Sequence, residues 1–157
     1  MSKIVRTISE LLITFIFTFG LYMIMHGHLT PGGGFQGGAV FASGTALLVV
    51  AFGAYKVEEK LKASVLSMLE STGALAFIGL AFGGLAVGFF YNFLFGSSIF
   101  GHVPAFGPNR GDMWTGGTIP LMNMAIGLKV IAGLSLIVLV MALASEKNDQ
   151  KNGTIHF

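Results

Sequence analysis

Four long apolar stretches, separated by short polar segments, constrain the fold of this chain more than any other feature of its sequence. A helix of about 20 apolar residues crosses the ~30 Å of hydrocarbon in a bilayer. The chain has 157 residues, of which 54% are hydrophobic and 10% are charged, whereas about 25% are charged in an ordinary soluble domain. So few charges cannot cover a water-facing surface. The sequence therefore predicts an all-α integral membrane protein, a single domain over residues 1–157 with transmembrane helices at about 8–25, 35–54, 71–95 and 120–144.

The polar segments define the limits of these spans. The first apolar stretch follows a basic start and so also fits a cleaved signal peptide. No small-x-small cleavage site occurs at Met25–His28, however, and a second apolar stretch follows soon after, so a retained span is favoured. The charge cluster Tyr55–Lys62, continued by apolar residues at helical spacing, predicts a short interfacial helix leading into the third span.

The distribution of basic residues predicts the orientation of the four spans. Both termini and the segment between the second and third spans share one side, and the opposite side carries only Arg110. Positive charge stays in the cytoplasm, so both termini and the polar tail 145–157 are predicted to be cytoplasmic, with the Gly-rich loop between helices 1 and 2 outside. The scatter of these charges does not suit nucleic-acid binding. The basic residues on the predicted inner side are Lys3, Arg6, Lys56, Lys60, Lys62, Lys147 and Lys151.

A glycine-rich segment joins the first two spans. Five of the eleven residues from His28 to Gly38 are glycine, and no Lys-Ser or Lys-Thr follows them, which excludes a P-loop. The composition favours irregular backbone that lies close to other protein. From the residues alone, however, a tight polar turn between two spans is the favoured interpretation.

Two further groups of residues predict close packing of helices. The predicted third span contains Gly79-x-x-x-Gly83 followed by Gly84-x-x-x-Gly88, a spacing that lets another helix approach closely in lipid. Asn123, near the start of the fourth span, can hydrogen-bond across a helix contact.

Lys129 is the most informative single residue. It lies nine residues after Pro120, about 13 Å along a helix, and therefore near the bilayer midplane. Inserting an ammonium at that depth costs at least ~2.5 kcal/mol of free energy. This cost favours a functional role for Lys129 over a structural role, in which its side chain would reach the membrane surface or fill a polar gap. Glu70 and Glu10 are placed at the inner boundary, as boundary markers or proton entry points. Because neither matches the depth of Lys129, its partner is expected to come from another subunit.

The sequence offers few ligands for a metal or a cofactor. The chain has no cysteine, and the pair His26 and His28 has no third ligand or carboxylate nearby. An interfacial or loop-bracing role is favoured for both histidines. No nucleophile set or carboxylate pair is found, so no catalytic residue, metal or cofactor is predicted.

Two segments carry a resemblance to a known family. They are the glycine segment 27–38 and the segment Gly117-Thr118-Ile119-Pro120-Leu121-Met122-Asn123, which runs on into Ile126–Val130. On these motifs, and on length and spacing over nearly the whole chain, the sequence resembles the B subunit of the Mrp (also called Mnh) multisubunit cation/proton antiporters.

The resemblance implies a small subunit without independent activity, embedded in the bilayer of a prokaryotic cell membrane. Its partners would be large antiporter subunits related to those of respiratory complex I, and several small subunits. The complex would exchange cytoplasmic Na⁺ for external H⁺. The same subunit type also occurs in archaeal membrane-bound hydrogenase and sulfur-reducing complexes, where redox chemistry drives ion movement, and the sequence leaves both settings open.

The resemblance gives the glycine segment a role in packing at a subunit interface, and from their chemistry we infer candidates for a proton or ion relay. The relay candidates are Lys129, Glu70, Glu10 and His28. The interface residues are Pro31, Gly32, Gly33, Gly34, Phe35, Gln36, Gly37 and Gly38. A stand-alone small multidrug-type exporter is a further alternative, but it needs a carboxylate deep in its first helix, and Glu10 lies at the edge.

Overall fold

The computed structural model of this protein describes residues 3–106 and 111–151. Four of its helices are long and apolar enough to cross a membrane, and the described ranges contain no β-strand. The predicted all-α membrane fold is confirmed. The helices are α1 (Lys3–Met25), α2 (Gly34–Phe52), α3 (Ala54–Lys60), α4 (Ala63–Phe82) and α5 (Thr118–Lys151).

The four long helices lie in a row that does not follow their order in the chain. α2 packs between α1 and α5, and α4 packs on the far side of α5. The short α3 contacts the ends of α2 and α5. The last helix of the chain is therefore inserted between the second and the fourth.

Glycines, which have no side chain, let the backbones of α1 and α2 come into contact. A Cβ added at Gly37 would lie 2.7 Å from the carbonyl oxygen of Gly20 and 2.9 Å from the amide nitrogen of Ile24. The rings of Phe17 and Phe41 stack beside this contact with centroids 4.0 Å apart. Close backbone approach of this kind is how helices associate where lipid supplies no hydrophobic driving force.

The contact between α2 and α5 combines small residues with a pair of hydroxyl groups. A Cβ at Gly38 would lie 2.8 Å from Cβ of Val130. Further along, the buried Ser135 hydroxyl donates to the buried Thr45 hydroxyl at 3.0 Å. Each hydroxyl is thereby satisfied away from water, where an unpaired one would be costly.

The third membrane helix differs from its prediction at both ends. It runs over Ala63–Phe82 rather than 71–95. It begins early because most of the charge cluster lies in α3, which ends at Lys60, and the extended residue Lys62 (φ −61°, ψ 132°) directly precedes α4. It ends early because the chain turns back at the glycines after Phe82, and the described parts of 83–117 form turns. Glu70 consequently lies inside α4, seven residues after its first residue.

The fourth membrane helix also extends beyond its prediction. α5 continues to Lys151, whereas a polar tail was expected from residue 145. On this extension Glu146 accepts a hydrogen bond from the Ala54 amide at 3.0 Å, which ties α5 to the start of α3. Residues 152–157 of the expected tail lie outside the described residues.

Candidate functional site: a charged pair in the membrane-spanning helices

Lys129 forms an ion pair with Glu70 of the same chain. The Lys129 Nζ donates to Glu70 Oε1 at 3.0 Å. The expectation that the partner of Lys129 comes from another subunit was wrong. That expectation assumed that Glu70 precedes the third span, whereas α4 begins at Ala63 and contains Glu70. At a rise of ~1.5 Å per residue, Glu70 lies about 10 Å from the start of α4 and Lys129 about 17 Å from the start of α5. Because the two helices run antiparallel, these distances are measured from opposite ends, and the two side chains lie at a similar height.

Two glycines allow the helices to approach closely at this pair. A Cβ at Gly73 would lie 2.8 Å from both the Ala125 carbonyl oxygen and the Lys129 amide nitrogen. A Cβ at Gly133 would lie 3.3 Å from the Glu70 carboxyl carbon. The backbones of α4 and α5 therefore nearly touch beside the ion pair, and the carboxylate lies over a position without a side chain.

The ion pair lies at the surface of this chain. The side chains of Lys129 and Glu70 are 46% and 35% exposed, although both belong to helices that are apolar enough to cross a membrane. Polar groups on membrane helices usually face protein or a water-filled cavity rather than lipid. The exposed side of the pair is thus available to a neighbouring subunit or to water.

The glycine segment divides into two alternating sets. Gly33, Gly34, Gly37 and Gly38 are buried against the chain itself. At Gly34 an added Cβ would collide with the backbone of α5 at Asn123. The role of the segment at a subunit interface stays a prediction, and it now falls mainly on the exposed members. The exposed members are Pro31, Gly32, Phe35 and Gln36.

Asn123 lies against this segment. A Cβ at Gly27 would lie 2.9 Å from its Nδ2, and one at Gly33 would lie 3.7 Å from its Oδ1. The residue predicted to bond across helices is thus positioned where α5 meets the glycine loop.

The second glycine group is arranged differently. An added Cβ at Gly79 or Gly88 would meet no described heavy atom within 4 Å. Gly83 and Gly84 face Phe93 and Tyr91 of the segment that follows α4. A helix-packing role for these glycines stays a prediction, and the described chain supplies no helix against Gly79 or Gly88.

His28 lies just after α1 with its ring nitrogens enclosed. Neither nitrogen has a hydrogen-bond partner among the described residues. Burial lowers the pKa of His28, the neighbouring His26 lowers it further, and Asp112 partly opposes both. A cavity of about 330 Å³ adjoins it, and His102 on the cavity wall lies 3.7 Å from Asp112. No group of three or more metal-ligating side chains occurs in the part of the chain that the structure describes.

The relay candidates therefore fall in three places. Glu70 and Lys129 meet between the candidate membrane-spanning helices α4 and α5, whereas His28 lies beyond the end of α1. Glu10 lines a separate cavity formed with α2 and α3.

Sequence analysis missed several residues that fix the scaffold of the site. Asn92 accepts from the Thr118 amide at 2.8 Å through Oδ1 and donates to the Gly116 carbonyl at 3.0 Å, so it caps the start of α5. Its segment holds several polar residues, and no spacing distinguishes this one. The hydroxyl pair of Thr45 and Ser135 was detectable only as two polar residues within apolar stretches.

Comparison with known proteins relates nearly the whole chain to one family. The profile described as the domain related to the MnhB subunit of Na⁺/H⁺ antiporters matches residues 4–136. A Staphylococcus haemolyticus protein named as antiporter subunit mnhB2 is 31% identical over 139 residues, which are 88% of this chain and 93% of that protein. An uncharacterized protein of Methanocaldococcus jannaschii is 40% identical over 127 residues, covering 74% of this chain.

A solved structure has a similar fold. One chain of the membrane-bound sulfane sulfur reductase, an archaeal respiratory membrane complex, superposes with a TM-score of 0.70 and 35% identity over 90% of this chain. The present chain spans 58% of that chain and 43% of the M. jannaschii protein. Both of these relatives are therefore longer than the part they share with it.

Proposed function

The chain belongs to the family of domains related to the MnhB subunit of Na⁺/H⁺ antiporters, and from this we propose that it is a small subunit of a multisubunit cation/proton antiporter in a prokaryotic cell membrane. Its partners are other membrane subunits, both large complex-I-like antiporter subunits and small ones. Its termini lie in the cytoplasm, where the positive-inside rule places its basic end. The chain itself performs no catalytic step.

The ion pair Glu70–Lys129 carries the mechanistic part of this proposal. A lysine and a glutamate at 3.0 Å can exchange a proton or neutralise a passing charge, and their exposed flank lets a neighbouring subunit continue the path. An internal charge without its partner is strongly destabilising, whereas removal of both charges is often tolerated. Comparison of single and double variants therefore separates a loss of assembly from a loss of exchange.

The test compares single and double variants in the complete complex. Everted membrane vesicles report exchange as a cation-induced pH change, and native gels report the amount of assembled complex. We expect Lys129→Ala to reduce exchange relative to the amount of complex that assembles. Lys147→Ala, on the same helix but in the predicted cytoplasmic segment after residue 144, serves as the control and leaves exchange unchanged.

The double variant Glu70→Gln/Lys129→Gln resolves the case in which a single variant fails to assemble. It leaves no unpaired charge in the membrane, so we expect it to assemble and yet not to exchange. Wild-type exchange by this assembled variant refutes the relay and leaves the pair a structural role.

The similarity to a sulfane sulfur reductase chain favours a second candidate function. In that setting the same subunit type serves a redox-driven, ion-moving complex, and the redox chemistry belongs to other subunits. Mass spectrometry of the complex pulled down through this chain in mild detergent distinguishes the two. Antiporter subunits alone support the first function, and accompanying iron–sulfur or nickel subunits support the second. Recovery of the chain alone contradicts both and favours a stand-alone exporter.

A further inference from the structure

We propose that the open cavity lined by residues of α1, α2 and α3 binds the headgroup of a phospholipid that carries both a phosphate and a primary ammonium, the phosphoethanolamine class. The cavity has a volume of about 430 Å³, within the ~300–1,000 Å³ of small-molecule sites. It lies at the end of the helices that carries the N-terminus and α3. The charged residues on its wall are Glu10, Lys56, Glu59 and Lys60.

These four charges surround one cavity without pairing. Two are cationic and two are anionic, yet no salt bridge joins any of them to another described residue. Left unpaired, they offer separate binding positions to the two charges of a zwitterion, since phosphate binds the lysines and ammonium binds the glutamates.

The depth and the apolar wall of the cavity favour a lipid over a soluble zwitterion. α2 ends at Phe52 and the charged α3 begins at Ala54, so the cavity lies where the membrane-spanning part of the chain ends. Leu48 and Phe52 continue its wall toward the apolar part of α2. A headgroup at this boundary would meet the charges, and its glycerol and upper chain atoms would meet the apolar wall.

The test measures lipid binding to the intact complex by native mass spectrometry. The complex is delipidated in detergent and titrated with phosphatidylethanolamine, phosphatidylglycerol, phosphatidylcholine or free phosphoethanolamine. We expect phosphatidylethanolamine to bind most tightly. Phosphatidylglycerol lacks the ammonium, phosphatidylcholine cannot donate hydrogen bonds to the glutamates, and free phosphoethanolamine lacks the apolar part.

Matched variants locate the bound lipid. Lys56→Gln/Lys60→Gln should weaken phosphatidylethanolamine binding about fivefold per lysine. The control Lys62→Gln/Lys147→Gln also removes two positive charges, from positions that do not line this cavity, and should leave binding unchanged. Equal binding by the cavity and control variants overturns the site.

A second variant tests the ammonium position and replaces the lysine variant if that one fails to assemble. Glu59→Gln should weaken phosphatidylethanolamine binding without weakening phosphatidylglycerol binding. Equal affinity of the wild-type complex for these two lipids overturns the headgroup assignment. If free phosphoethanolamine binds as tightly as phosphatidylethanolamine, the assignment of the ligand to a membrane lipid is overturned.

Discussion

The two glycine-rich regions of the molecule look alike in sequence and are used differently in the fold. In the first, Gly34 and Gly37 lie against the backbones of α5 and α1. In the second, Gly79 and Gly88 face open space within the described chain. Glycine spacing thus indicates a backbone that can be approached closely, and it does not indicate whether the approaching element belongs to the same chain.

The position of each region in the helix row accounts for the difference. α2 is flanked by α1 and α5, so both of its sides are covered by the chain itself. α4 ends the row with α5 as its helical neighbour. Its remaining surface is therefore open to a partner subunit, and substitutions can test whether the two regions differ as described.

The largest effect is expected from Gly37→Val compared with Gly79→Val. At Gly37 the new side chain meets the backbones of Gly20 and Ile24, which cannot move aside without separating α1 from α2. We expect a loss of about 3 kcal/mol or more in the free energy of unfolding. Thermal unfolding of the detergent-solubilised chain measures it. Gly79→Val should leave the stability of the isolated chain nearly unchanged. Equal destabilisation by the two variants would contradict the difference in packing between the two glycine regions.

Gly33→Val is expected to have the next largest effect. Gly33 has a φ of 146°, a backbone conformation that β-branched residues avoid. The strain should cost about 1–3 kcal/mol and reduce assembly of the complex, measured by native gel. Normal assembly of this variant would contradict the interpretation of the loop as packed, irregular backbone.

Asn92→Ala probes the segment that follows the second glycine region. It removes the acceptor of the Thr118 amide and the donor to Gly116. Loss of such a cap costs about 1 kcal/mol, so we expect a lower apparent Tm and faster amide exchange at the start of α5. Asn148→Ala, near the other end of the same helix, is the control. Unchanged exchange at Thr118 would show that the segment is held by other contacts.

The smallest effect concerns the pH dependence of stability and His28, whose ring lies against the turn at Gly116. Burial and His26 lower the pKa of His28 despite the opposing Asp112. The unfolded chain therefore binds this proton more tightly than the folded chain, so folding stability falls as the pH drops below the ordinary value of 6.5. His28→Gln should flatten the dependence of Tm on pH between about 7 and 5. An unchanged slope would contradict the lowered pKa.

The sequence predicted the four membrane helices because long apolar stretches have few other stable structures in lipid. It misplaced α4 because a single carboxylate, Glu70, followed a charge cluster and resembled part of the boundary. That one displacement hid the partner of Lys129. The Glu70–Lys129 pair depends on the register between α4 and α5, which is set by Gly73 and Gly133 rather than by hydropathy.

The order of the helix row has a consequence for biosynthesis. α2 meets α1 as soon as both have left the ribosome, but its other face waits for the last helix of the chain. Thr45 has no hydroxyl partner until Ser135, 90 residues later, has been synthesised, a delay of roughly 5–18 s at ~5–20 residues per second. During that interval a polar, glycine-lined face of α2 is exposed to lipid. The nascent chain is then most dependent on the insertion machinery or on an already inserted subunit to cover it.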